Sequence, residues 1–146
     1  MTGKADFTEQ EWELVREGPA AAGLIAVTAS SGGSFRESWA MAKAYTEARQ
    51  QHGSSQLLDD LVAEKPKVER YHSAEEAESQ GLQRLRDALA LVEQKASPED
   101  VEGYKRFTLD LANRVAAAHH EKGEADSVSA SEREALDKVA QALNTG

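Results

Sequence analysis

The chain has 146 residues, a net charge of -9 at pH 7 and no cysteine. The negative charge has the wrong sign for a phosphate backbone, which argues against nucleic-acid and anionic-membrane partners. The lack of cysteine excludes disulfides, thiolate metal sites and cysteine nucleophiles. No apolar run approaches the ~20 residues that span a bilayer, and residues 1–6 lack a signal-peptide pattern. We therefore expect a cytoplasmic protein without a membrane span.

The first helix is predicted to begin at Thr8, because Thr8 and Glu11 have the spacing of a capping box. In such a box each side chain accepts a hydrogen bond from the backbone N–H of the other residue. Phe7 and Trp12 flank this start at the positions of a hydrophobic staple. The helix is predicted to stop at Gly18.

A second helix is predicted for residues 19–29, since proline is well tolerated in the first turn of a helix. Small apolar residues dominate this nearly uncharged run, in a chain whose residues are 29% charged. A helix that is apolar on most sides belongs in the middle of a bundle. Five further helices are predicted, at about residues 34–52, 56–64, 73–92, 98–118 and 129–143.

These elements predict a single all-α domain over residues 1–146, a bundle of about seven helices with 19–29 and 98–118 at its centre. The predicted core covers about 19–143, between short flexible termini. Each half contains an alanine-rich helix, a polar turn and a Ser-x-x-Glu helix start. The halves are therefore predicted to be loosely repeated helix-turn-helix units.

The polar turn of the second half is the richest segment in metal-ligand atoms. Glu121, Glu124 and Asp126 lie in it, and Glu132 follows at the next helix start. Carboxylate oxygens suit hard cations such as calcium, so these four residues form a candidate cation site. The alternative interpretation is a solvated acidic loop in which Glu132 serves its own capping box.

Glu37 occupies the matching position after the first turn and is a further candidate ligand, although capping is the favoured role there. His120 and Glu124 have an H-x-x-x-E spacing that suits a transition metal. Glu69 and His72 form a single copy of a motif that a di-iron bundle needs twice. No G-x-S-x-G nucleophile elbow follows a strand, so no catalytic residues are assigned and the chain is predicted not to be an enzyme.

Three stretches resemble the TerB-like family of helical domains, which is named for tellurite resistance. They are residues 26–33 (AVTASSGG) leading to Glu37, residues 109–118, and residues 128–136 (VSASEREAL) with the apolar positions that follow. The family pattern is an alanine-rich helix, an Asp-Gly turn and a Val-Ser-x-x-Glu helix start, repeated in the second half. In that family the acidic turns are thought to hold divalent cations. Neither turn here keeps the Asp-Gly pair, and only the second keeps enough carboxylates, so the resemblance implies a cation site at that turn alone.

The resemblance implies a non-enzymatic cytoplasmic module linked to tellurite or general stress resistance. It would bind a protein partner and, at the acidic turn, a divalent cation such as calcium. The alternative is a plain helical interaction or scaffold domain without a ligand, and the third is a metal-dependent enzyme using His119 or His120. One aromatic residue is a candidate partner-binding anchor, although core or staple roles are simpler for all of them: Trp12, Phe35, Trp39 and Phe107.

Overall fold

The computed structural model describes residues 3–29, 35–50, 56–64, 73–118 and 130–144, apart from the side chains of 27–29, 35–41, 74, 117–118 and 130–132. Within these ranges a short 3₁₀ turn, Lys4–Asp6, precedes six α-helices and no strand is present, so the all-α fold is confirmed. The helices are α1 (Glu9–Ala29), α2 (Phe35–Gln50), α3 (Gln56–Val62), α4 (Ala74–Lys95), α5 (Pro98–Ala118) and α6 (Ala130–Asn144). None of the helices so described is both long enough and apolar enough to cross a membrane.

The start of α1 forms as its sequence indicates. The Thr8 N–H donates to Glu11 Oε1 at 2.8 Å, and the Glu11 N–H donates to Thr8 Oγ1 at 3.1 Å. The rings of Phe7 and Trp12 lie 5.7 Å apart, which confirms the hydrophobic staple. This arrangement fixes the direction in which the N-terminal segment enters the bundle.

The predicted break at Gly18 is wrong, because α1 continues through Pro19 and joins two predicted helices into one. A proline inside a helix has no N–H for the carbonyl four residues earlier, here that of Val15. The buried Tyr104 hydroxyl of α5 donates to Val15 O at 2.8 Å and so replaces the missing donor. The helix tolerates Pro19 because a neighbouring helix satisfies the carbonyl that proline leaves open.

Helix α1 lies at the centre of the bundle, in contact with α2, α4, α5 and α6. Its small residues allow a close approach: a Cβ built on Gly18 would lie 2.2 Å from Tyr104 Oη and 3.0 Å from the Ala88 Cβ of α4. On α4, a Cβ at Gly81 would lie 3.1 Å from the side chain of Ile25. Both predicted central segments, 19–29 and 98–118, are thus confirmed as central, since α5 also contacts every other helix.

The N-terminal residues extend the core beyond the predicted start at about residue 19. Phe7, Trp12 and Val15 are buried within it. The Lys95 ammonium at the end of α4 lies 5.5 Å from the centre of the Phe7 ring and donates to Asp6 O at 3.0 Å. The segment before α1 is therefore held against the bundle by both packing and polar contacts.

Candidate functional site

The predicted cation ligands fall where their side chains are not described. Glu132 lies in α6 and Glu37 in α2, at positions where only the backbone is described. The other predicted ligands and the di-iron-like pair lie outside the described residues: His119, His120, Glu121, Glu124, Asp126, Glu69 and His72. Among the side chains that are described, no group of three or more His, Asp or Glu is placed to hold a metal ion. The predicted site therefore stays a prediction from sequence.

A groove of about 730 Å³ lies between α2, α3 and α5 and opens to solvent. Its floor is mostly apolar and comes from all three helices: Ala44 and Ala48 of α2, Leu58 and Val62 of α3, and Gly103 and Phe107 of α5. Charged side chains form its rim: Glu47 of α2, Asp59 of α3, and Glu99, Glu102, Arg106, Asp110 and Arg114 of α5. We call this feature the α5 groove.

The α5 groove follows the length of α5. Its α5 residues run from Pro98 to Arg114 at spacings of three and four, which is one continuous face of the helix. At about 1.5 Å per residue this face is about 24 Å long, or roughly four helical turns. A surface of this length matches an extended macromolecular segment better than a single small molecule.

Phe107 places an aromatic surface in the middle of the groove. Its side chain is only half-buried, whereas the Tyr45 ring behind it is fully buried. The two rings meet edge to face, with centroids 5.3 Å apart and planes at 69°. Burial raises the pKa of Tyr45, so its hydroxyl is neutral. Phe107 is thus backed by a rigid core residue while part of its ring remains accessible.

Arg114 joins two walls of the groove at one end. Its guanidinium donates to Glu47 of α2 and, at 2.9 Å, to Asp110 of its own helix. The hydrogen bond from Arg114 lowers the pKa of Glu47, and the same bond raises the pKa of Arg114. These shifts keep Glu47 and Arg114 charged near neutral pH, and their opposite charges offset each other.

Helix α3 forms the remaining wall, and contacts from outside the groove hold it in place. A helix of seven residues has little stability of its own. Leu57, Leu61 and Val62 bury its inner face, and Arg49 of α2 donates to the Val62 carbonyl. On the groove side a Cβ at Gly103 would lie 3.3 Å from Leu58 Cδ1, so α5 and α3 are in close contact there.

Glu64, just after α3, gathers three side chains from the N-terminal part of the chain. Trp12 Nε1 donates to its carboxylate at 2.6 Å, Lys4 Nζ lies 3.4 Å from it and Arg16 Nε lies 3.7 Å from it. The Trp12 hydrogen bond and the two cations lower the pKa of Glu64. The position of α3, and with it one groove wall, is therefore tied to α1 and the segment before it.

The sequence contained part of the signal for this groove. Phe107 is one of the four aromatic residues that the sequence offers as a partner-binding anchor, and among those whose side chains are described it is the one that lines the groove. The spacing of apolar residues on α5 predicts a core-facing stripe, but it does not show which part of that stripe remains uncovered. That depends on how far α2 and α3 stand from α5, which the spacing on a single helix does not determine.

Comparison of the chain with protein-family models, with curated proteins and with solved structures finds no match in any of the three. The α5 groove and the sequence patterns are therefore the features that indicate a function.

Proposed function

We propose that this chain is a non-enzymatic cytoplasmic module that binds a protein partner by holding an amphipathic helix of that partner in the α5 groove. The observation that carries the proposal is a groove along about 24 Å of α5, with apolar residues from three helices on its floor and charged side chains on its rim. Helix-in-groove recognition uses this combination, with apolar residues of the bound helix on the floor and polar residues at the edges. The half-exposed Phe107 is the central contact for such a helix.

The TerB-like resemblance and its link to tellurite or general stress resistance remain part of this proposal. The repeated order of helices supports it: α1 and α5 have 21 residues each, and the helices that follow them, α2 and α6, have 16 and 15. Both following helices begin directly after a predicted capping serine, at Phe35 and Ala130. The predicted cation site at Glu121, Glu124, Asp126 and Glu132 rests on the sequence.

Site-specific photo-cross-linking in the native cell tests the groove proposal. A benzophenone amino acid is placed at Arg106 or Glu102 on the exposed groove rim, and as controls at Glu75 or Glu93 on the exposed face of α4. Mass spectrometry then identifies the segment attached at each position. We expect one partner segment with helical apolar spacing to attach at the groove positions and not at the α4 positions.

A blocking variant makes this test specific to the groove. Ala48→Gln adds a longer side chain to the floor, and Ala90→Gln makes the same change on the exposed face of α4. The adduct should be lost with Ala48→Gln and retained with Ala90→Gln, in proteins whose circular dichroism shows that both are folded. Equal labelling at groove and α4 positions, or an adduct that survives Ala48→Gln, would overturn the proposal.

The cation component has a separate test. A thermal melt of chelator-stripped protein is repeated with calcium, magnesium, zinc or manganese added singly. Binding to the native state raises the melting temperature in proportion to the logarithm of ligand concentration. We expect calcium to raise it by several degrees, and Glu124→Gln with Asp126→Asn to abolish the shift. Absence of any shift at millimolar cation would remove the cation from the proposal and leave the partner groove unaffected.

A further inference from the structure

We infer that the α5 groove selects a basic helix, and that the cationic half of this helix lies over the first two turns of α5. This inference rests on the proposed function, because it specifies the charge and the direction of the helix in the same groove. Five carboxylates and two guanidinium groups line the groove. The complementary partner is therefore a helix with an apolar stripe and an excess of lysine or arginine.

The charges are unevenly distributed along the groove. Glu99 and Glu102 lie on the first two turns of α5, and the Leu58–Gly103 contact places Asp59 of α3 near the same end. The Lys105 ammonium is 4.0 Å from Glu102, in an exposed contact that offsets one of these charges weakly. This end of the groove therefore keeps a net negative charge.

The other end carries a smaller negative charge. There Arg114 already contacts both Glu47 and Asp110, so two carboxylates share one guanidinium and their hydrogen-bonding capacity is partly used. Arg106 lies between the two ends and adds a positive charge on the rim. A bound helix with its cations over Arg106 and Arg114 would meet repulsion, whereas the opposite direction pairs its cations with Glu99 and Glu102. Charge thus determines direction as well as partner class.

Synthetic peptides of about 18 residues, long enough to span the groove as a helix, test this inference. All carry the same leucine and alanine stripe. The basic peptide has lysine at the polar positions of one half, and the neutral and acidic peptides have glutamine or glutamate there. Fluorescence anisotropy at low salt should show on the order of tenfold tighter binding of the basic than of the neutral peptide, and weaker binding still of the acidic one. The difference should shrink at about 1 M salt, where screening is nearly complete.

A charge-matched pair of variants separates a local effect from the overall charge of -9. Glu99→Gln with Glu102→Gln removes two groove carboxylates, and Glu75→Gln with Glu93→Gln removes two exposed carboxylates of α4. The groove pair should reduce the affinity for the basic peptide to nearly that for the neutral one, and the α4 pair should change it less than twofold. Equal losses with both pairs would overturn the inference, since they would indicate attraction to the whole molecule.

Two outcomes distinguish this inference from the proposed function. If basic and neutral peptides bind equally and Ala48→Gln weakens both, the charge selection is wrong and the groove proposal stands. If no peptide binds at millimolar concentration, both are overturned.

Direction is read from a nitroxide attached to a cysteine at the cationic end of the basic peptide, which is unambiguous because the protein has no cysteine. Amide signals around Glu99 and Glu102 should broaden and those around Asp110 and Arg114 should not. The reverse pattern would overturn the assigned direction.

Discussion

Two buried tyrosines show that burial alone does not determine whether a hydroxyl group stabilises the folded protein. Tyr104 and Tyr45 are both fully buried, and burial raises the pKa of each. The Tyr104 hydroxyl satisfies Val15 O, the carbonyl left open by Pro19, whereas the Tyr45 hydroxyl has no hydrogen-bond partner within the described part of the chain. The same tyrosine-to-phenylalanine change should therefore have opposite consequences at the two positions.

We expect Tyr104→Phe to lower the free energy of unfolding by about 1–3 kcal/mol, because it leaves a buried carbonyl unsatisfied. Tyr45→Phe should leave it unchanged or raise it by up to about 1 kcal/mol, because a buried hydroxyl without a partner is removed. Urea unfolding of both variants measures this contrast. Equal losses at the two positions would mean that each loss comes from altered ring packing and that the Tyr104 hydrogen bond contributes little.

The link between Tyr104 and Pro19 has its own test in a double-mutant cycle. Pro19→Ala restores an N–H that can donate to Val15 O, so Tyr104→Phe should cost about 1 kcal/mol less in that background than in the native chain. Additive losses would contradict the account of how α1 passes through proline.

Gly18 is required by the close approach of the same hydroxyl. Alanine normally favours a helix by about 1 kcal/mol over glycine, but here its Cβ would lie 2.2 Å from Tyr104 Oη. Gly18→Ala should therefore destabilise the protein by about 1–3 kcal/mol, and by less in a Tyr104→Phe background, as measured by urea unfolding. A stabilising Gly18→Ala would show that the two helices are farther apart than described.

At the scale of elements, the helix starts were predictable from sequence because each depends on residues three apart. The Thr8–Glu11 box forms, the Ser73 and Ser97 hydroxyls accept hydrogen bonds from the Glu76 and Asp100 amides, and α5 begins at Pro98. The continuation of α1 through Pro19 was not predictable in this way, because the hydrogen-bond donor that allows it, Tyr104, lies far along the chain. The α5 groove was missed for a related reason, since it is a property of the spaces between three helices.

The contacts of Glu64 that hold α3 in place require its negative charge. We therefore predict that their contribution to the free energy of unfolding depends on pH. The pKa of Glu64 is lowered in the folded state by the Trp12 hydrogen bond and by Arg16 and Lys4. Its charged contacts therefore stabilise the protein above the pKa that an unfolded glutamate has, and this contribution is lost as pH falls through the lowered folded-state value. Glu64→Gln should cost about 1 kcal/mol at neutral pH and progressively less in acid.

Urea unfolding of wild type and Glu64→Gln across this range measures that difference. Glu93→Gln, an exposed change on α4, serves as the control and should differ little from wild type at neutral pH. A Glu64→Gln deficit that stays constant into acid would show that the lost contacts do not depend on ionisation.

In the molecule as a whole, α5 has two faces with different roles: one packs in the core and the other lines the groove. One side supplies Tyr104, Leu111 and Val115 to the core, and the other supplies Phe107 and the charged rim to the groove. The same helix thus stabilises the bundle and presents the proposed binding surface. Because the rim residues of α5 are exposed, their substitution should change binding without unfolding the protein.

The most direct measurement of the central claim is a titration of isotope-labelled protein with the basic 18-residue peptide, followed by amide chemical shifts. We predict that the shifts concentrate on α2, α3 and the groove face of α5, with Gly103 and Phe107 among the most affected, and that Ala48→Gln abolishes them. Shifts centred on the exposed face of α4, or no shifts at millimolar peptide, would contradict the claim that the α5 groove is a helix-binding site.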